Sequence, residues 1–501
     1  MFVRKKLNKS GVVSVQVIAK ISGKSKLVKT IGSSSDEQDI EDLVKEGHQY
    51  IAKFGGQKTL DFSDELSLFK SVFQSISSHT EVGTQLLLGE IFNDIGFNVI
   101  EDALFRQLVL SRLIYPVSKL KTSDFLDRYH ELDYPVQQIY RYMDRFHSKS
   151  KELVQQISYQ HTKKILGGKV SIVFYDVTTL YFEIDQEDDL RKTGFSKEGK
   201  HQNPQIVLGL LVSRNGYPLA YDIYEGNKFE GHTMLPVLDS FKEKYNLEQL
   251  VIIADSGLLS NANIEELQAG DYEFILGARI KNEKWDTQRK ILSLDLKNGE
   301  STIVRKDDLK LVITYSDNRA KKDYENRRKG LKKLEKRIRT GKLTKSNINN
   351  RGYNKYLKLE GDIDITIDHQ KFEADGAWDG LKGYLTNARM SKDEIIENYG
   401  HLWQIEKAFR VSKTDLKIRP IYHRLQPRIE THICISFVAY KIYKELERQL
   451  KKKQSFLSPE KAIEIARTIY QVKAKTEDGE VSHILLISEE QQNLAQLFNF
   501  G

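Results

Sequence analysis

The spacing of apolar positions changes along the chain, and the changes divide it. In residues 1–60, GVVSVQVIAKI alternates apolar and polar positions as a half-buried strand does. KLVKTIG repeats this after the turn Ser22-Gly23-Lys24-Ser25. SSSDEQDIEDLVKEGHQYIAKF then takes helical spacing from a Ser/Asp start, and Gly55-Gly56 closes a small α+β unit. Residues 61–167 read as helical throughout, with LLLGEIFNDIGF, DALFRQLVLSRLI and TSDFLDRYH apolar at i, i+3 and i+4, and with Pro116 and Pro135 as breaks.

From 168 to 280 strands and helices alternate. SIVFYDVTTLYFE, QIVLGLLVSRN and YPLAYDIYEGN are three strands, the last two joined by the hairpin signal Arg214-Asn215-Gly216. The helix HTMLPVLDSFKEKY, the strand LVIIAD, the helix NANIEELQAG and the strand YEFILGAR follow. Residues 281–385 place strands around a basic segment, NRAKKDYENRRKGLKKLEKRIRTGKLTKSNINNRGYNKY. In residues 386–425 the capping box SKDE opens a helix expected to run to about residue 414. Residues 426–501 read as further helices, one capped by Ser458 with Pro459 at its first position.

A three-strand meander followed by helix, strand, helix and strand is the order of a ribonuclease-H-like fold. The expected class is therefore α/β: a mixed sheet with helices on both faces, a β-rich insertion carrying a basic helix, and a mainly helical N-terminal region. In that order the first and fourth strands are neighbours, which brings Asp176 beside Asp255. A carboxylate in an apolar strand is costly unless a cation or several donors compensate it. Two of them at neighbouring strand ends suit magnesium or manganese, which take hard oxygen ligands; two such ions about 3.5–4 Å apart clamp the attacking and leaving oxygens of a phosphodiester.

A third carboxylate is available at Glu406. On a continuous helix Tyr399, Glu406 and Lys413 fall on one stripe, which Arg410 joins. A phenol, an acid and two cations along one ridge suit a phosphate backbone better than a core. Plainer readings remain open: Asp176 as a hydrogen-bonded strand polar group, Asp255-Ser256-Gly257 as a turn, Glu406 as an i, i+4 partner of Arg410. Glu183, Asp185, Asp188, Asp189 and Asp222 are rival acids, and His201 and His232 border the same region.

Charge adds a partner. Lys and Arg number 78 against 70 Asp and Glu, a net +8, with much of the excess in the basic segment, which includes Arg327 and Arg328. That points to nucleic acid. The segment YPVQQIYRYMDRFHSKSKE could serve as a recognition helix offering Gln137, Gln138, Arg141 and Arg145. One cysteine, Cys434, excludes an internal disulfide and is expected in a buried helix. No run reaches about 18 apolar residues and the start lacks an apolar signal region, so the expectation is a soluble cytoplasmic protein without membrane contact. The histidines form no metal motif, and no Walker loop, dinucleotide fingerprint or nucleophile elbow is present.

At YDVTTLYFE, GFSKEGKHQNPQIVLGLLVSRNGYPLAYDIYEGNKFEGHT, IIADSGLLS and YGHLWQIEKAFRVSKTDLKIRPIYH the sequence resembles the DDE transposases of bacterial insertion sequences, of the insertion-sequence-four type. The resemblance covers about residues 100–445. The family signature Y-x-x-R-x-x-x-E-x-x-x-x-x-x-K is met by Tyr399, Glu406 and Lys413, with Leu402 where the arginine stands and Arg410 or Lys407 as candidate substitutes. The resemblance implies Asp176, Asp255 and Glu406 as the catalytic triad holding two magnesium ions, with Tyr399 and Lys413 on DNA near the cleaved end. It also implies cleavage at terminal inverted repeats, attack of the freed 3′-OH on target DNA, a homodimer in the DNA complex, and a bacterial cytoplasmic, nucleoid-associated setting. Residues 426–501 are a candidate dimerisation region. A catalytically silent DNA-binding descendant and a structure-selective nuclease of the same fold are the alternatives.

Overall fold

The structure, a computed structural model, describes the chain except residues 22, 55–71, 197–198, 259, 342, 350–351, 361–363, 477–478 and 501. The expected stop at Gly55-Gly56 lies outside the described residues, as does Ser22 of the first turn. The chain divides into two compact units, residues 1–78 with 472–483 and residues 79–471 with 484–501. The first holds an antiparallel sheet of β1 (Phe2–Leu7), β2 (Val13–Ile21) and β3 (Lys24–Ser34), with helix α1 (Glu37–Phe54). Burial on β2 does not follow the alternation read in GVVSVQVIAKI: Ser14, Val15, Val17 and Ile18 are all buried, around a half-buried Gln16.

Strand β4 (Ile76–Glu81) interrupts the run expected to be helical; its His79 ring stacks on Tyr470 at 4.5 Å. Such long-range support is invisible to local periodicity. Helices α2 (Gly83–Ile95), α3 (Ala103–Ile114), α4 (Lys119–His130) and α5 (Val136–Ile165) follow. The expected recognition segment is the first half of α5, a 30-residue helix. Ile139, Met143 and Val154 of α5 are buried, while Gln137, Gln138, Arg141 and Arg145 are exposed.

The sheet comes next: β5 (Ile172–Tyr181), β6 (Gln205–Ser213), β7 (Pro218–Glu225), α6 (Met234–Tyr245), β8 (Val251–Ala254), α7 (Asn261–Ala269), β9 (Glu273–Ala278) and α8 (Trp285–Leu292). The insertion contributes β10 (Ser301–Lys306), β11 (Leu309–Tyr315), α9 (Asp317–Arg339), β12 (Leu357–Glu360), β13 (Asp364–Ile367), α10 (His369–Asp375) and β14 (Leu381–Thr386). Eight strands form one sheet in the order β10-β11-β14-β9-β8-β5-β6-β7. Strands β5, β6 and β7 are antiparallel, and β5, β8 and β9 parallel. This is the ribonuclease-H-like order, and Gly216, at φ +79°, turns the β6–β7 hairpin.

The insertion is more than a separate lobe, because β14, β11 and β10 continue the sheet beyond β9. The rest packs on its own small core of Leu334, Tyr356, Leu357 and Phe372. On α9 the buried stripe Arg327, Gly330 and Leu334 faces inward, while Lys321, Lys322, Arg328, Lys332 and Lys333 are exposed.

Helices α11 (Lys392–Gly400), α12 (Trp403–Thr414), α13 (Gln426–Lys452) and α14 (Pro459–Ala466) complete the larger unit with α15 (Glu489–Phe498). Strands β15 (Tyr470–Thr476) and β16 (Gly479–Leu485) interrupt the expected C-terminal helices. Helices cover both sheet faces: α2–α5 and α11–α14 share one core with Phe174, Ile253 and Ile275, while α6, α7 and α8 share the other with Tyr175, Ala254 and Leu276. Helix α13 is buried from Thr431 to Leu446 and contains the buried Cys434. It also carries the fully buried Lys441, whose Nζ donates to the Ser158 carbonyl (3.0 Å) and to Thr162 Oγ1 (2.5 Å), as a buried ammonium requires. Among the described residues no helix is long and apolar enough to cross a membrane.

Candidate active site

Side chains alternate between the two faces along a strand. On β5, Phe174 belongs to the α12 side and Tyr175 to the other, so Asp176 returns to the α12 side. On β8 the same parity runs Ile253, Ala254, Asp255. Tyr175 pairs with Ala254 in parallel register, so the next residues, Asp176 and Asp255, stand level. With strands about 4.8 Å apart, their Cα atoms are near neighbours. The same level continues to Gly277, beyond the Ala254–Leu276 pair, and to Tyr384, the partner of Gly277. Asp176 is half-buried, its Oδ1 accepting from the Val177 N–H at 2.8 Å; Asp255 is exposed, its Oδ1 accepting from the Ser256 N–H at 2.7 Å.

Helix α12 packs on this face through Ile405, Ala408 and Phe409. The expected continuous helix is broken at His401-Leu402, so the ridge from Tyr399 to Lys413 is divided between α11 and α12. Leu402, at the signature arginine's position, is buried in the core, which explains why an apolar side chain occupies it. The break also puts Glu406 in the first turn of α12, exposed, where the helix dipole favours a carboxylate. Trp403, beside the break, is 49% exposed.

Tyr399 is buried over the strand ends: a Cβ built on Gly277 would stand 2.4 Å from its hydroxyl oxygen. Its ring lies 4.6 Å from that of Tyr384, and the Lys382 ammonium sits 4.6 Å over it. Burial pushes the Tyr399 phenol up, and the charges of Asp255 and Glu406 push it further. Burial and the nearby Arg319 pull the Lys382 ammonium down, while Asp255 and Glu406 oppose them. Tyr399 and Lys382 thus each feel both carboxylates, which ties Asp255 on the sheet to Glu406 on α12. Periodicity did not reveal Lys382 and Arg319; the available signal was that Lys382 shares strand parity with Tyr384.

The other expected residues divide into two groups. Arg410, Arg141 and Arg328 are exposed and Lys413 is half-buried. Lys407 instead pairs with Glu447 of α13, and Arg327 is buried against Asp379 (2.6 Å) and the Phe372 carbonyl (3.2 Å). Those two cations serve internal packing. Of the rival acids, Asp222 pairs with Lys151 at 2.6 Å and Asp188 with Arg191 at 2.6 Å. His201 Nδ1 accepts from the Ser196 N–H at 3.3 Å, and His232 packs edge-on against Phe229. Asp176, Asp255 and Glu406 are the hard oxygen donors a magnesium or manganese ion takes, so the residues fit such an ion in kind. Among the described residues no three acids, histidines or cysteines already stand at metal-binding spacing.

A family model described as a transposase DDE domain matches residues 168–442. Among solved structures the chain is similar to a piggyBac transposase synaptic complex with hairpin DNA, at 10% identity and a TM-score of 0.40 over 77% of this chain and 78% of that one. It is also similar to a Mos1 transposase paired-end complex with the left transposon end, at 9% identity and a TM-score of 0.16 over 34% and 56%. No curated protein matches the chain.

Proposed function

The chain belongs to the transposase DDE domain family, and on that premise we propose that it is a DNA transposase that cleaves strands at element ends and joins the freed 3′-OH to target DNA, two copies holding two ends. The observation that carries the proposal is the level pair Asp176 and Asp255 on the sheet face that α12 covers with Glu406. These three carboxylates would hold magnesium or manganese, which supplies Lewis-acid activation of the phosphodiester and its attacking oxygen.

The remaining roles fall to the chain itself. The Tyr399 hydroxyl, kept protonated by burial and by Asp255, donates to a phosphate oxygen at the strand ends. Lys382 and Arg319 offset the negative charge gathered there. Arg410 and Lys413 continue the contact along the DNA backbone, and Arg141 and Arg328 extend it outward.

The test is strand cleavage of a plasmid carrying the gene with its native flanks, in magnesium, by the wild type and by Asp176→Asn. Cleavage by the wild type alone supports the assignment; equal cleavage by both overturns it. A second reading, DNA binding without cleavage, draws on the lack of three acids at metal-binding spacing among the described residues. It predicts retention of flank DNA and no metal-dependent product.

A further inference from the structure

A cavity of 240 Å³ lies where the start of α4, the end of α3 and the segment after α12 meet α13. Six basic residues line it, Arg112, Lys119, Lys417, Arg419, His423 and His432, beside the phenols of Tyr140 and Tyr422. No carboxylate lines it, and the acid that His423 feels, Asp144, is held by Arg428 through bonds of 2.6 and 2.8 Å.

Two of these cations are buried, Arg112 at 5% exposure and Lys119 at 4%. Arg112 offers one Nη to His432 Nδ1 at 3.3 Å and the other to the Leu416 carbonyl at 3.5 Å, while its Nε has no partner. Lys119 has no ion pair or side-chain hydrogen bond to the described residues; burial, and then the repulsion of Arg112, pull its ammonium well down. Burial draws the Arg112 guanidinium down to about 10. Buried charges are ordinarily paired: Lys441 has its two acceptors, and the buried Lys444 pairs with Glu447. The cavity also opens on the N-terminus of α4, whose dipole favours an anion.

We propose that this cavity is a phosphate-binding site and that its occupant is a phosphodiester of the bound DNA, an assignment of source that rests on the transposase reading. Its position fits. Arg419 lies over the ring of Tyr181, the last residue of β5, and Ile421 bridges to Phe182 just beyond it. Tyr181 is five residues past Asp176 on that strand, about 17 Å at 3.3 Å per residue. That is the rise of about five nucleotides of duplex, so one strand can lie in the cavity and across the carboxylates together.

The experiment compares the wild type, Lys119→Met and Lys119→Arg. Fluorescein-labelled duplexes cut from the gene's native flanks measure DNA affinity against salt, and thermal unfolding is followed in inorganic phosphate and in chloride at equal ionic strength. For Lys119→Met the proposal expects affinity to fall about 8-fold at 0.1 M salt and the salt slope to shrink by about 0.9. Its unfolding midpoint in chloride should rise by about 2 °C or more, since an unpaired buried charge is gone, while Lys119→Arg keeps the wild-type slope. Phosphate should raise the midpoint of the wild type and leave that of Lys119→Met in place. If phosphate stabilises the wild type selectively but both variants keep its DNA affinity and slope, the site takes free phosphate and the DNA assignment falls. If Lys119→Met changes neither response, the site itself is refuted. Asp176→Asn serves as the separate control: loss of cleavage with DNA affinity intact upholds the transposase reading whichever way the Lys119 variants behave.

Discussion

Replacing Gly277 by alanine tests the geometry of the carboxylate edge directly. The new methyl would stand 2.4 Å from the Tyr399 hydroxyl oxygen and 3.1 Å from the Ser256 nitrogen. The first distance is about 1 Å inside ordinary contact. Tyr399 cannot yield cheaply, because its buried ring is held between Tyr384 and Lys382. Gly277 takes no positive φ, so alanine brings no backbone strain, and in a strand it should otherwise gain about 0.5–1 kcal/mol over glycine. The clash should reverse that sign and cost about 1–3 kcal/mol. Tyr399→Phe removes the offending oxygen and leaves the ring carbon at 3.3 Å, a contact that small shifts can absorb. The double variant should therefore recover about 1 kcal/mol or more relative to the sum of the single changes. Urea denaturation of the four proteins supplies the cycle. Equal costs of Gly277→Ala with and without the hydroxyl would refute the placement of Tyr399 against β9.

Three further outcomes follow from buried charge and a buried thiol. Arg327→Met should destabilise the chain by about 3 kcal/mol, because Asp379 loses its guanidinium partner in a site largely closed to water; a denaturation midpoint equal to the wild type's would contradict this. Burial raises the Glu447 carboxyl, but hydrogen bonds from Lys407 and Lys444 outweigh it and hold the group at about 2. Its stabilisation is complete above the unfolded value near 4.5 and is lost as pH falls toward 2, so Glu447→Gln should flatten stability across that acid range; an unaltered pH profile would show that the two lysines do not hold it. Burial pushes the Cys434 thiol up to about 12. Dithionitrobenzoate should then label native protein no faster than it unfolds, and labelling on mixing would place the thiol at the surface.

The carboxylate edge was legible because strand parity and element order are local facts. SIVFYDVTTLYFE and LVIIAD, with a meander between them, suffice to set Asp176 level with Asp255. What the sequence withheld depends on distant pairing. Lys407 and Arg327 looked like surface cations, but their partners Glu447 and Asp379 lie 40 and 52 residues away. Lys382 went unnoticed because its place follows from β14 joining β9 across the whole insertion. The break at His401-Leu402 was hidden too: the apolar spacing continues through it, and burial of Leu402 accompanies the turn.

The return of β14 to the sheet has a consequence for how this protein is made. The polypeptide leaves the carboxylate edge after β9, builds the basic lobe, and only then supplies Lys382 and, further on, Glu406. A chain still emerging from the ribosome therefore carries two of its three acids without the third, the covering helix or the neutralising ammonium. On the proposed transposase reading, strand breakage has to wait until the lobe has folded and the sheet has been extended. On that reading, translation order works as a safety catch.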